Sequence, residues 1–105
     1  MAYDSVDAFM AVLPELAQPM KEKLQAHNGL FELKLPQTQY YIRLEDGLVT
    51  VTAECDNYPN CIIQMDEQQA LDMVNGRVSP LKALLFGKVR IQGDVKPLLR
   101  LCALV

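Results

Sequence analysis

Three runs of alternating apolar and polar residues, two of them joined by an Asp-Gly pair, constrain this chain more than any other feature. In "LFELKL", residues 30–35, Phe31, Leu33 and Leu35 fall on one face and Glu32 and Lys34 on the other. In "TQYYIRLE", residues 38–45, Tyr40, Ile42 and Leu44 oppose Tyr41, Arg43 and Glu45. "LVTVTAE", residues 48–54, turns Val49, Val51 and Ala53 inward and Thr50 and Thr52 outward. A period of two belongs to a strand, because successive side chains of extended backbone point to opposite faces. Asp46-Gly47 between the second and third runs is a two-residue hairpin signal, since both positions of that turn take positive φ. The loop "CDNYPN" leads to "CIIQM", residues 61–65, a fourth strand whose Ile62-Ile63 pair implies cover on both faces.

Helical spacing flanks these strands. Val6, Phe9, Met10, Leu13, Leu16, Met20 and Leu24 recur at intervals of three and four. Asp4 or Ser5 can cap the start, and Asn28-Gly29 predicts a left-handed stop. Pro14 and Pro19 predict a kink or break, since each lacks an amide hydrogen and crowds the preceding turn. Downstream, Asp66 caps "EQQALDMV" and Asn75-Gly76 ends it. Ser79-Pro80 opens "PLKALLF", which Gly87 closes. "KVRIQ" is a fifth strand with Val89 and Ile91 inward, and Gly93-Asp94 starts a last helix with Pro97 in its first turn. The order is helix, four antiparallel strands, two helices, one strand, one helix. Grouped helices predict an α+β fold with helices on one face of a sheet, as one domain over residues 1–105.

Charge and composition narrow the function. The net charge is −3 and no block of Lys or Arg occurs, which argues against nucleic acid as a partner. No apolar run is long enough to span a bilayer. "MAYDSVDAF" lacks a basic segment followed by a hydrophobic one, so no secretory signal is expected. Cys55, Cys61 and Cys102 form no CxxC pair, which predicts a cytoplasmic protein without disulfides. Cys102 is read as packed in the final helix.

Catalytic signals are absent. His27 is the only histidine and falls near a helix C-terminus, whose partial negative charge suits it. With no second His and no carboxylate at ligand spacing, neither a metal nor a cofactor is expected. The glycines form no phosphate-binding loop. Most carboxylates fall on outward faces and read as solvated surface. What remains is apolar: Phe9, Met10, Leu13, Phe31, Leu33, Ile63, Met65, Leu84, Leu85, Phe86, Leu98 and Leu99 can face one interior. They either close a core or line a space that a ligand fills.

"NCIIQMDEQQALDMVNGRVSPLKALLFGKVRIQGDVKPLLRL" adds a second kind of information. The ordered set Met65-Asp66, Gly76-Arg77-Val78, Ser79-Pro80, Lys82-Ala83, Leu85-Phe86, Gly87-Lys88, Arg90 and Gly93-Asp94 resembles the sterol carrier protein family (type two), the non-specific lipid-transfer proteins. The resemblance implies a five-stranded, mainly antiparallel sheet covered by helices, with an apolar tunnel between them. It implies binding, and transfer, of a fatty acid, acyl-CoA, phospholipid or sterol without chemistry on it. The twelve apolar residues named above would line the tunnel, and Lys82, Lys88 and Arg90 would lie on its outer, wet side. Transient contact with a membrane is a further expectation, and exposed Phe or Leu at a tunnel mouth would allow a homodimer. The alternative is an accessory or scaffolding module of a lipid- or quinone-related enzyme complex.

Overall fold

A computed structural model describes residues 2–79, 82–83 and 87–98. Helix α1 (Val6–Ala17) is followed by a 3₁₀ turn (Gln18–Met20) and the short α2 (Lys21–Leu24). Strands β1 (Gly29–Lys34), β2 (Gln39–Glu45), β3 (Leu48–Thr52) and β4 (Cys61–Gln64) come next, then α3 (Glu67–Val74) and β5 (Arg90–Gly93). The five strands form one mixed sheet in the order β3-β2-β1-β4-β5.

Local chemistry sets the element ends. Ser5 rather than Asp4 caps α1, its hydroxyl accepting from the Ala8 amide at 3.1 Å. Pro14 stays inside α1, and the break comes at the 3₁₀ turn that holds Pro19. Asp66 caps α3, accepting from the Gln69 amide at 2.6 Å. At the end of α3, Gly76 takes φ 74°, with Arg77 N donating to Asp72 O at 2.8 Å and Gly76 N to Met73 O at 3.0 Å. This is the paired closure that a left-handed residue permits. Asn28-Gly29 does not follow that pattern: neither takes positive φ. Gly29 instead opens β1, and a β-carbon there would press on the Phe31 ring at 3.1 Å.

Asp46 (φ 52°) and Gly47 (φ 81°) form the hairpin between β2 and β3, as the dipeptide predicts. The register then fixes which side chains share a face. Phe31 stands opposite Ile42, Leu33 opposite Tyr40, and Ile42 opposite Val51.

The fourth strand departs from expectation. β4 is not a further antiparallel neighbour of β3. It crosses to the far side of β1 and pairs with it in parallel, Phe31 with Cys61 and Leu33 with Ile63. β5 then runs antiparallel to β4, with Ile63 opposite Ile91. Asn60 stitches the start of β4 to β1. Its N–H donates to Leu30 O at 2.8 Å, and its Oδ1 accepts from Leu30 N at 2.8 Å. That placement makes β1 and β4 inner strands, where Ile62 and Ile63 are both half-buried.

The core lies on one face. Val6 and Met10 of α1, Ala70 of α3, Leu33 of β1 and Leu35 just beyond it are all buried together. The opposite face is not simply solvated. Leu30 and Glu32 on it are only 6 % and 8 % exposed. Glu32 is therefore a buried carboxylate rather than the surface charge its alternation implies.

A candidate apolar ligand site

The residues that could hold an apolar guest gather on the sheet face beneath α1 and α3. Met10 and Leu33 belong to the buried cluster, and Phe9, Leu13, Ile63 and Met65 pack against it. Phe31 is 4 % exposed and shares this face farther along β1, since it stands opposite Ile42 and Cys61. Leu98 is half-buried in the helical residues 96–98. Leu84, Leu85, Phe86 and Leu99 lie outside the described residues. The wall assigned to them is thus represented by its ends: Ala83 and Val89 are buried, while Lys82, Lys88 and Arg90 are exposed as expected.

Several members of the face were not in the sequence-based set. Val6, Leu35, Ala70, Tyr40, Ile42, Val51 and Leu71 also form or border the cluster. The alternation of β2 and β3 already marked Tyr40, Ile42 and Val51 as inward. Only the register, which lays them beside Leu33 and Phe31, brings them to the same site.

A side-chain clasp borders the face. The Asn75 carboxamide accepts from Tyr3 N at 2.6 Å and donates to Tyr3 O at 3.1 Å, tying the N-terminal segment to the end of α3. Tyr3 in turn stacks edge-on against Phe9, ring centroids 5.2 Å apart. Lys88 N donates to Ala83 O at 3.0 Å, and Gly87 takes φ 71°. Beside α1 the face opens into a groove of ≈ 310 Å³ lined by Asp7 and Thr52 as well as Met10, Ala11, Pro14, Tyr40, Val51 and Ala53. Tyr40 donates its hydroxyl to Asp7 Oδ1 at 3.1 Å. Burial first, then the Asp7 carboxylate, raise the Tyr40 phenol above its ordinary value.

The polar chemistry elsewhere is sparse. Among the described residues no group of three His, Cys, Asp or Glu is placed to hold a metal ion. Within the same set, His27 Nδ1 and Gln69 Nε2 are buried without a hydrogen-bond partner. Cys61 is fully buried, and that burial, with a smaller contribution from Asp94, pushes its thiol up. Cys55 is half-buried and meets Arg43 Nη2 at 3.5 Å. No helix of the described residues is long and apolar enough to cross a membrane.

A family model described as the SCP-2 sterol transfer family matches residues 10–105. No curated protein matches the chain. Among solved structures, the chain is similar to the sterol carrier protein domain 2 of Helicoverpa armigera. They share 24 % identity and a TM-score of 0.78 over 96 % of this chain and 86 % of that one. It is also similar to palmitated SCP2L2 from Aedes aegypti, at 15 % identity and TM-score 0.68 over 99 % and 94 % of the two chains. A third likeness is to the ubiquinone synthesis protein UbiJ-SCP2, at 13 % identity and TM-score 0.68 over 94 % and 90 %. At these identities the likenesses speak to the fold.

Proposed function

Because the chain belongs to the SCP-2 sterol transfer family, we propose that it binds a lipid chain between its sheet and its helices and releases it unchanged. The observation that carries this reading is the apolar face itself. Met10 and Leu33 are buried in it, and Phe9, Leu13, Ile63 and Met65 pack against it. Phe31, Leu98 and the leucines and phenylalanine at 84, 85, 86 and 99 complete the proposed lining.

The energetics suit a carrier. Removing a methylene from water is worth about 0.8 kcal/mol, so a sixteen-carbon chain gains roughly 12 kcal/mol gross. Ordering and association costs take back much of this. Against a bilayer the gain nearly vanishes, because lipid tails are already apolar, so uptake and release both remain feasible. Met10 and Met65 help one lining accept several tails, since the thioether side chain is flexible. The palmitate of the Aedes aegypti structure makes a long-chain fatty acid the first ligand to test.

The deciding experiment is delipidation followed by titration with a fluorescent fatty acid. Saturable binding near one equivalent is expected. Absence of saturation, with no lipid detected by mass spectrometry of the purified protein, would remove the carrier reading. The likeness to UbiJ-SCP2 favours a second reading, an accessory module of a lipid- or quinone-related enzyme complex. A stoichiometric protein partner, recovered without bound lipid, would select it over the first.

A further inference from the structure

β3 is one of the two outer strands of the described sheet, paired on one side only. The hairpin fixes which of its backbone groups are spare. A two-residue turn makes Glu45 and Leu48 a hydrogen-bonded pair, so Thr50 and Thr52 also bond to β2. Val49 and Val51 therefore aim their N–H and C=O groups away from the sheet. Among the described residues none of the turn, loop or cap hydrogen bonds involves these groups.

Natural edge strands are usually blunted by lysine, proline, a bulge or an inward charge. β3 has none of these, though α1 packs beside it. It reads Leu-Val-Thr-Val-Thr, and its first residue, Leu48, is 52 % exposed. The groove of ≈ 310 Å³ between α1 and Val51 and Ala53 runs beside it. An added strand would hydrogen-bond to Val49 and Val51 and drop alternate side chains into that groove.

Charge indicates the occupant. Asp46 precedes β3, Glu54 follows it and Asp7 lines the groove. Among the described residues none of these carboxylates forms an ion pair. Lys21 is the cation beside the turn, packed against Gly47. A second copy paired about Thr50, the register that uses the whole strand, would set Asp46 opposite Glu54 twice. Like charges directly opposite are destabilising. We propose that the β3 edge docks an extended segment of another protein, apolar at alternate positions and basic at its ends.

The test uses the synthetic peptide Lys-Thr-Val-Thr-Ile-Thr-Lys and a control with glutamate in place of both lysines. The basic peptide should slow amide exchange at Val49 and Val51 about fivefold or more. Val49→Pro removes one outward donor while leaving the β2 ladder intact. Thr50→Lys adds a cation on the exposed side of the edge without touching the core. Each should weaken the basic peptide about tenfold, equivalent to about 1.4 kcal/mol. Unprotected Val49 and Val51 amides, equal binding of the glutamate peptide, or protection that rises with protein concentration alone would overturn the proposal. Fatty-acid titration of the same samples reports on the lipid site separately, because neither variant lies in the proposed lining.

Discussion

Gly93 lies so close to Asn60 that a β-carbon on the glycine would overlap the Asn60 carbonyl oxygen. The contact occurs where β5 leaves the sheet. Asp94 N donates to the same carbonyl at 2.9 Å, and Gly93 itself takes φ 99°. With its two bonds to Leu30, Asn60 thus ties the starts of β1 and β4 to the end of β5.

Gly93→Ala should cost at least about 2 kcal/mol, since strain at positive φ and steric overlap act together. Gly76→Ala is the matched control. Gly76 also has positive φ, 74°, but nothing lies within 4 Å of a β-carbon there. It should cost about 1 kcal/mol, the left-handed penalty alone. Urea unfolding of both variants measures the difference, and equal costs would refute the close approach.

Asn75→Ala removes both hydrogen bonds to Tyr3. A loss of about 1–2 kcal/mol is expected from two partly buried bonds. Amide exchange at Tyr3 should quicken, while exchange in β1 changes by no more than the global loss of stability. Unchanged Tyr3 exchange would show that the clasp does not hold the N-terminal segment.

Alkaline pH should destabilise the fold through Cys61. Its folded-state ionisation is shifted up, mainly by burial and then by Asp94. The unfolded thiol therefore loses its proton first as pH rises. Stability is complete below the unfolded thiol's value and declines as pH climbs from there through the folded one. Tyr40 adds to the same decline at higher pH, for its phenol is also raised by burial and by Asp7. In denaturation curves taken from pH 7 to 10.5, about the span of these two groups' ordinary values, Cys61→Ala should flatten the first part of the loss. Tyr40→Phe should flatten the later part. A variant whose decline matches the parent's would exonerate that residue.

Met65→Gln places an amide of similar length on the apolar face while leaving the backbone of β4 alone. Met65 is only half-buried, so the folding cost should stay near 1 kcal/mol (roughly, for a partly buried polar group). Fatty-acid affinity should fall about tenfold if the side chain meets the tail. Fluorescent fatty-acid titration at a temperature where both proteins are folded makes the comparison. Unchanged affinity would take Met65 out of the lining.

Much of this architecture is written locally. The alternation through β1, β2 and β3 marks their faces, Asp46-Gly47 marks the hairpin, and Asp66 and Gly76 bound α3. Each depends only on near neighbours along the chain. Asn28-Gly29 shows where such reasoning stops. The pair resembles a left-handed helix stop, yet Gly29 is needed for room beside Phe31, a constraint set by packing. Glu32 shows the same limit. Alternation gives its side of the strand, but whether that side meets water depends on segments distant in sequence.

Sequence alone determined the described strands, α1 and α3, their inward faces and, through an ordered set of motifs, the family. Short-range forces (turn sterics, caps and the two periodicities) decide those features. Tertiary structure decided that β4 crosses to lie parallel to β1, that Asn60 stitches the start of β4 to β1, and that β3 is left as an open edge. Strand neighbours are chosen by burial and hydrogen bonding summed over the whole sheet, and no local pattern in the chain carries that sum.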